Sequence, residues 1–396
     1  MAENRFHTTY SDWNNSWSSV PFTDTDITGT ITELTTIGPN VSTTVSPMRA
    51  FAISYGHIHG YFSIVVCIFG IISNILNIVV LTRKHMSSPT NFILTALAIA
   101  DMLTMSTYPI MAVYLYIISR PDCEGTNHTK EWMYFILFHN LFIITCHNMA
   151  MWLTVALAVF RYIFVCQHAR AMTMCSMQRA RMAVLIIVVA TIMICIPNYL
   201  MYTVIDLASL KNNTVTCYWI IGSDIALQNP SYEQFVRWLF GVVIKILPCI
   251  LLTVLSTLII IAMHHAKKRR SRLLGMVKRA SDHDHASSEH NRTTMMLVTV
   301  VLFFVITELP QGILALISAV NKEFWDKVYV NLGDLMDILV LINSAVNFIL
   351  YCIMSQQFRN TFKSLFVGSY FRPFFHKNSS QNGTSYSMVK TDTTQV

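Results

Sequence analysis

Residues 50–82 read AFAISYGHIHGYFSIVVCIFGIISNILNIVVLT, flanked by Arg49 and Arg83 with no charge between them. An α-helix needs about 20 apolar residues to cross the ~30 Å hydrocarbon core of a bilayer, and this run supplies them. Further uncharged runs lie between Glu131 and Arg161, between Arg181 and Asp206, and between Asp337 and Arg359. The composition agrees. Of 396 residues, 53% are hydrophobic and only 12% charged, with a mean hydropathy of +0.47. A soluble domain carries roughly 25% charged residues, so an ordinary soluble enzyme is excluded.

Reading the apolar runs with their polar punctuation predicts seven helices, over residues 57–82, 91–118, 132–164, 182–204, 235–263, 294–320 and 331–353. Lys245 interrupts the fifth and Glu308 the sixth, and both remain too apolar elsewhere to be soluble segments. The fold class implied is an all-α membrane protein, a seven-helix transmembrane bundle over residues 55–354.

The net charge of +7 suggests at first an acidic partner for the whole chain. Sorting the charges by side of the membrane changes that. Arg83 and Lys84 follow helix 1, and Arg161, Arg170, Arg179 and Arg181 follow helix 3. Lys267, Lys268, Arg269, Arg270, Arg272, Lys278, Arg279 and Arg292 lie between helices 5 and 6. Arg359, Lys363, Arg372, Lys377 and Lys390 follow helix 7, and only Asp282, Asp284, Glu289 and Asp392 offset them on that side. The opposite side is net acidic. Positive charge stays cytosolic, so the expectation is a multi-pass plasma-membrane protein with its N-terminus outside and its C-terminus in the cytoplasm. The basic side then faces anionic lipid, and no nucleic-acid partner is expected.

Residues 1–54 are polar, Ser/Thr-rich and acidic, and read as a disordered extracellular N-terminus. No apolar signal segment stands at its start, so the first helix is expected to act as the translocation signal. Asn14, Asn40, Asn127 and Asn212 head glycosylation sequons, and all fall on the side assigned to the outside. Of nine cysteines, Cys123 and Cys217 alone fall in predicted outer loops. One disulfide, Cys123–Cys217, is expected, two free outer thiols being the alternative. The tail, 371–396, reads as disordered and cytoplasmic.

Ionisable side chains at membrane depth are costly and point to function. In helix 3, Asn140, His147, Thr154 and Arg161 recur every seven residues. A seven-residue step drifts only about 20° around a helix, so the four share one face. Helix 7 repeats the pattern with Asp337, Ser344 and Tyr351 and adds Asn343 and Asn347. Two polar faces imply a water-containing interior. Asn343, Ser344 and Thr154 equally suit simple interhelical hydrogen bonding, whereas Asp337 and Glu308 need a cation or a proton. Pro109, Pro197, Pro248 and Pro310 lie inside predicted spans and permit kinks.

The ordered motifs resemble those of rhodopsin-like (class A) G-protein-coupled receptors over about residues 55–370. Asn77 with Val80 is similar to the helix 1 signature, and Leu97-Ala-Ile-Ala-Asp101 to that of helix 2. Phe160-Arg161-Tyr162 stands where that family has Asp-Arg-Tyr, and Asn347-Phe-Ile-Leu-Tyr351 where it has Asn-Pro-x-x-Tyr. Phe358-Arg359 with Phe362 and Phe366 resembles the amphipathic membrane-surface helix, here 355–370. More narrowly, four stretches are similar to invertebrate myosuppressin and FMRFamide-like neuropeptide receptors. They are Tyr55-Gly-His-Ile-His-Gly-Tyr61, Ser88-Pro-Thr-Asn91, Met151-Trp-Leu-Thr-Val-Ala-Leu-Ala-Val-Phe-Arg161 and Ile306-Thr-Glu-Leu-Pro-Gln-Gly-Ile313. Thr307-Glu308-Leu309-Pro310 replaces the usual Cys-Trp-x-Pro, which favours that branch.

The departures have consequences of their own. Phe160 removes the acid that restrains the neighbouring arginine, and His290 stands where many receptors have a second acid. Arg161 is expected to be less restrained, with appreciable basal activity. Phe348 replaces the helix 7 proline, which implies a straighter helix. Cys123 lies well upstream of the family's helix 3 cysteine. Ala150 replaces a frequent sodium ligand, which leaves open whether Na⁺ binds at Asp101 with Ser344 and Asn347.

The resemblance implies an amidated peptide ligand ending in Arg-Phe and a heterotrimeric G protein as transducer. Asp337 is the first choice for the guanidinium, because a charge-assisted carboxylate pair is the strong option. Glu308 lies deeper and is expected to be protonated or paired with His147. Asn140, His147 and Gln311 are expected to bond backbone or amide groups, and Trp219 beside Cys217 to cap the entrance, with plain loop or helix-end packing as the alternative for Trp219 and Gln311. Arg161, Tyr162, Asn347, Tyr351 and Asp101 are the expected coupling residues. Arrestin and receptor kinases are expected to act at Ser281 and at the tail serines and threonines from Ser379 to Thr394. Thr394-Gln-Val396 fits a PDZ domain, though a free tail end serves as well.

Rival classes lack their signatures. There is no phosphate loop, nucleophile elbow or Schiff-base lysine in helix 7, so neither an enzyme nor a light sensor is indicated. His57, His59, His264, His265 and Asp282-His-Asp-His285 read as solvated or loop histidines rather than metal ligands; no metal or cofactor is expected. A transporter would show repeats between halves, and a biogenic-amine receptor an acid where Ile143 and Ile144 stand. A different peptide or small ligand remains the alternative.

Overall fold

Hydroxyl side chains mark where the helices start. Each accepts a hydrogen bond from a backbone N–H that lacks an intrahelical partner. Ser46 caps α1 (Pro47–Leu81) from Arg49 N at 3.3 Å, and Ser88 caps α2 (Pro89–Ile118) from Asn91 N at 3.1 Å. Thr129 begins α3 (Lys130–Cys166) and Ser176 begins α4 (Met177–Tyr199). Then come α5 (Pro230–Ala262), α6 (Val305–Ser318), α7 (Lys327–Ile353) and, capped by Ser355, α8 (Gln356–Phe362). These belong to a computed structural model, which describes residues 46–118, 129–167, 173–206, 218–274, 303, 305–318 and 320–367. Six of the helices are long and apolar enough to cross a membrane, and α6 is a shorter apolar seventh. The molecule is a seven-helix membrane bundle with an eighth short helix after it.

Packing follows lipid logic rather than that of a soluble core. On α1, Ile58, Tyr61, Phe62, Val65, Ile68, Phe69 and Ile72 are exposed, while Gly60, Ser63, Gly70, Ser73, Asn74 and Asn77 are buried. Small and polar residues let helices approach and bond where apolar association has no solvent drive. Asn74 Nδ2 donates to Ser344 O at 2.9 Å, and Ser73 Oγ to Ala345 O at 3.3 Å, tying α1 to α7. A Cβ at Gly70 would overlap the Met105 side chain of α2 and meet Ala345 Cβ at 3.0 Å. The helix therefore crosses its neighbours where only glycine fits. α3 is the central post, packed on α2, α4 and α5.

Two helices are distorted next to prolines. α2 bends at Thr107, ahead of Pro109, and ends in a wide π turn, Val113–Ile118. α5 opens into a longer π turn, Leu239–Ile246, directly before Pro248, whose ring nitrogen has no hydrogen to donate.

The bounds differ from expectation in several places, α4 and α5 each beginning five positions early, at Met177 and Pro230. α1 starts at Pro47, ten positions before residue 57, because Ser46-Pro47 supplies a cap and the polar turn around His57 is tolerated at an exposed helix end. α4 stops at Tyr199, and Tyr202–Asp206 forms strand β1 instead of more helix. Its Thr203-Val-Ile205 core is β-branched. It pairs antiparallel with β2 (Tyr218–Gly222) in register Val204 to Ile220, a hairpin laid over one end of the bundle against α3. Cys123, Cys217, the sequons at Asn14, Asn40, Asn127 and Asn212, and the tail beyond Val367 lie outside the described residues.

Candidate functional site

At the hairpin end a cavity of about 260 Å³ opens between α3, α5, α6 and α7. Ile143, Ile144, Ile244, Met336, Val340 and Leu341 make apolar walls, and Trp325 stacks on Tyr329 at 4.6 Å near the mouth. Asp337, Asn140, His147 and Gln311 all line it. Asp337 is half-buried, and Tyr108 donates to its Oδ2 across a long 3.4 Å. Asn140 Nδ2 is buried without a hydrogen-bond partner among the described residues, as are Asn198 Nδ2 and Trp325 Nε1. Unmade donors of this kind cost about 1–3 kcal/mol each, so the wall is set to receive acceptor oxygens.

Beneath the cavity lies an ionic cluster. Glu308 is fully buried in α6, and its Oε2 meets His147 Nε2 of α3 and Lys245 Nζ of α5, both at 3.1 Å. Lys245 also donates to Gln311 Oε1 at 2.8 Å. The His147 contact was expected for Glu308, and Lys245 was not. Lys245 shares the inward face of α5 with the buried Cys249, Leu252 and Ser256, at spacings of four, three and four residues, and that face meets α6 at Glu308. The only sequence signal was a lone lysine at membrane depth.

Above Asp337 the same helix carries Asp334, which accepts from Tyr116 OH at 2.8 Å. Tyr108 also bonds the buried His59 Nε2 at 2.9 Å. His59, expected to be solvated, is therefore part of an α1–α2–α7 hydrogen-bond cluster. Burial follows because Gly60 lets α1 sit directly against Tyr116. His57 is exposed. Trp219 lies on β2 opposite Ile205 and is not among the residues lining the cavity. Strand alternation sends it to whichever face its register dictates.

The opposite end, which carries α8, has a second cavity of about 240 Å³. Arg161 and Tyr351 line it with Leu81, Asn91, Phe164 and Phe358. Tyr162 does not. Arg161 makes no ion pair among the described residues, and its Nε is buried without a partner. The face Asn140–His147–Thr154–Arg161 thus runs from one cavity to the other.

Comparison with known families then matches residues 61–369 to the serpentine type 7TM GPCR chemoreceptor Srw family. The chain belongs to the G-protein-coupled receptors. The receptor is 31% identical over 352 residues to G-protein coupled receptor dmsr-1 of Caenorhabditis elegans, across 79% of this chain and 69% of that protein. It is 35% identical over 346 residues to the Sex peptide receptor of Drosophila melanogaster, across 84% and 76%. The FMRFamide receptor of Drosophila melanogaster matches at 24% over 311 residues, across 76% and 52%. It is a receptor and not an enzyme.

Between its two cavities the receptor holds Asp101, buried in α2, with Asn347 Nδ2 donating to its Oδ2 at 2.8 Å. A space of about 10 Å³ is bounded by Asp101, His147, Thr154, Asn343 and Asn347. That is about the room one water needs, and Ala150 adds no oxygen to it. A single carboxylate and amide or hydroxyl oxygens are a donor set that hard cations accept. Phe348, in place of proline, meets Phe358 at 5.9 Å and Phe362 at 5.7 Å, both edge-on, and so joins α7 to α8. His85 Nε2 bonds Thr361 Oγ1 at 2.8 Å from the α1–α2 turn.

Proposed function

We propose that this receptor sits in the plasma membrane with its hairpin end outside and binds an amidated neuropeptide ending in Arg-Phe. The observation that carries the reading is Asp337. It is a half-buried carboxylate beside the apolar side chains of the cavity wall, with a tyrosine hydroxyl at 3.4 Å and no cation bonded to it among the described residues. An arginine guanidinium supplies the missing charge-assisted pair. The Phe ring fits against Ile143, Ile144, Met336 and Leu341, and Asn140 Nδ2 is placed for a peptide carbonyl. The kinship with the FMRFamide receptor and the Sex peptide receptor supports a peptide as ligand. The cavity of about 260 Å³ suits the last residues of a peptide rather than a whole one.

At the α8 end the heterotrimeric G protein meets Arg161 and Tyr351, with Tyr162, Asn347 and Asp101 in the surrounding network. Arrestin, receptor kinases, anionic lipid and a PDZ domain at Val396 are the further partners on that side.

The test is Asp337→Ala against Tyr351→Phe, read as peptide affinity on membranes. Truncating one partner of a buried charge pair costs about 2–5 kcal/mol. Asp337→Ala should therefore weaken Phe-Met-Arg-Phe-amide by at least about 30-fold, and Tyr351→Phe should leave affinity near wild type. Unchanged affinity after Asp337→Ala removes that carboxylate from the site. The higher identity to the Sex peptide receptor favours a second reading, a different peptide in the same cavity. Wild-type affinity for that peptide class with none for Phe-Met-Arg-Phe-amide would select it.

A further inference from the structure

The ionic cluster under the cavity is not needed to bind a guanidinium, since among the described residues Asp337 makes no hydrogen bond or ion pair with it. Its geometry suits another task. Lys245 lines the cavity floor, whereas Glu308 is fully buried behind it and forms no part of the lining. An ammonium has three N–H donors. Glu308 Oε2 takes one at 3.1 Å and Gln311 Oε1 another at 2.8 Å. The third is taken by neither, and Asn140, two helical turns from His147 on the same lining, adds a further unpartnered donor. The floor thus offers donors to an oxygen, yet its positive charge is already cancelled from behind.

Resting on the Arg-Phe-amide reading of the same cavity, we propose that the Lys245–Glu308 pair is what makes the receptor prefer a C-terminal carboxamide to a free carboxylate. Charge balance carries the inference. The ligand's guanidinium neutralises Asp337, and Glu308 neutralises Lys245. A carboxamide brings an oxygen for the third Lys245 N–H and adds no charge. A carboxylate brings the same oxygen with a negative charge that no unpaired cation remains to balance, since Arg237 on the same lining is itself paired with Glu233 at 2.8 Å, in a cavity that already holds Asp337. Like charges brought together at a desolvated site are strongly disfavoured. Glu308 is therefore a specificity residue that does not touch the ligand but sets the sign of the floor through Lys245. Removing its charge moves the preference toward the acid whatever the protonation of His147, because Glu308 loses one negative charge in either case.

The experiment measures competition binding of Phe-Met-Arg-Phe-amide and of Phe-Met-Arg-Phe with a free carboxylate. It uses membranes bearing the full-length receptor, the Glu308→Gln variant and the Lys245→Gln variant, at matched surface expression. Wild type should favour the amide. Glu308→Gln keeps the shape and the hydrogen-bonding oxygen and should shift the acid-to-amide affinity ratio toward the acid by at least about tenfold. Lys245→Gln leaves Glu308 uncompensated and should shift the ratio the other way. A ratio unchanged in Glu308→Gln overturns the inference while the ligand reading stands. Wild-type receptor that binds neither form overturns both. Because the readout is a ratio within one variant, a general loss of folded protein does not imitate either shift.

Discussion

The two cavities of this receptor treat a cation on their lining in opposite ways. At the hairpin end, Lys245 is held by Glu308 and Gln311 before any ligand arrives. At the α8 end, Arg161 has Phe160 as its neighbour and no ion pair among the described residues. A compensated cation stabilises the helices it joins and can be re-weighted by a ligand. An uncompensated one is a standing demand for an acceptor, which a docking partner can meet. The same bundle therefore carries a preassembled end and an open end, joined by the polar face of α3.

The largest break in that contrast comes from Lys245→Leu. It leaves the Glu308 carboxylate buried with only His147, and breaking a buried pair from one side costs about 3–5 kcal/mol. Thermal unfolding of the purified receptor in detergent should show that loss. The Lys245→Leu/Glu308→Leu double variant should recover most of it, because no buried charge is then left alone. A double variant as unstable as the single would mean that packing, not charge, is what Lys245 supplies. Arg161→Leu at the other end should change stability far less, since no ion pair is lost there.

The fold was legible because uncharged runs long enough to cross a bilayer have few alternatives. The face shared by Asn140, His147, Thr154 and Arg161 was legible because α3 is regular over Lys130–Cys166. Lys245 escaped for another reason. It shares a helical face with the buried Cys249, Leu252 and Ser256, but the acid it meets is set by how α5 packs on α6, which no spacing within one helix carries. His59, Tyr108 and Asp334 escaped differently. Each is on a helix that was predicted, but their meeting depends on how closely α1 approaches α2, which the side chain missing at Gly60 decides. The β1–β2 hairpin escaped because a short β-branched run next to a long apolar helix reads as more of that helix.

A smaller effect tests how the open end is braced. Phe348 makes two edge-on contacts, with Phe358 and Phe362, and such aromatic pairs are worth about 0.5–1.5 kcal/mol each beyond area. Phe348→Leu should keep most of the volume and lose that geometry. The expected result is a destabilisation of about 1–2 kcal/mol, seen as faster hydrogen exchange confined to α8 and the last turn of α7. Exchange that speeds up over the whole bundle would show that Phe348 supports α7 generally and not its junction with α8.

The smallest shift would make the open end resemble the closed one. Phe160→Asp places a carboxylate next to Arg161, which makes no ion pair among the described residues and borders the cavity with Tyr351. A partly solvated pair is worth about 0.2–1 kcal/mol, which is a change of up to about fivefold in the population of the partner-ready state. Ligand-independent guanine-nucleotide exchange should fall by that factor, with peptide affinity nearly unchanged because the cavity at the hairpin end is untouched. Phe160→Asn is the necessary companion, since it removes the same ring and adds polarity without charge. A fall in Asp but not in Asn assigns the effect to the restrained arginine. An equal fall in both would trace it to the lost packing of Phe160 on Leu157 and the rest of the buried cluster at that end, and the contrast between the two cavities would then be one of shape, not of charge.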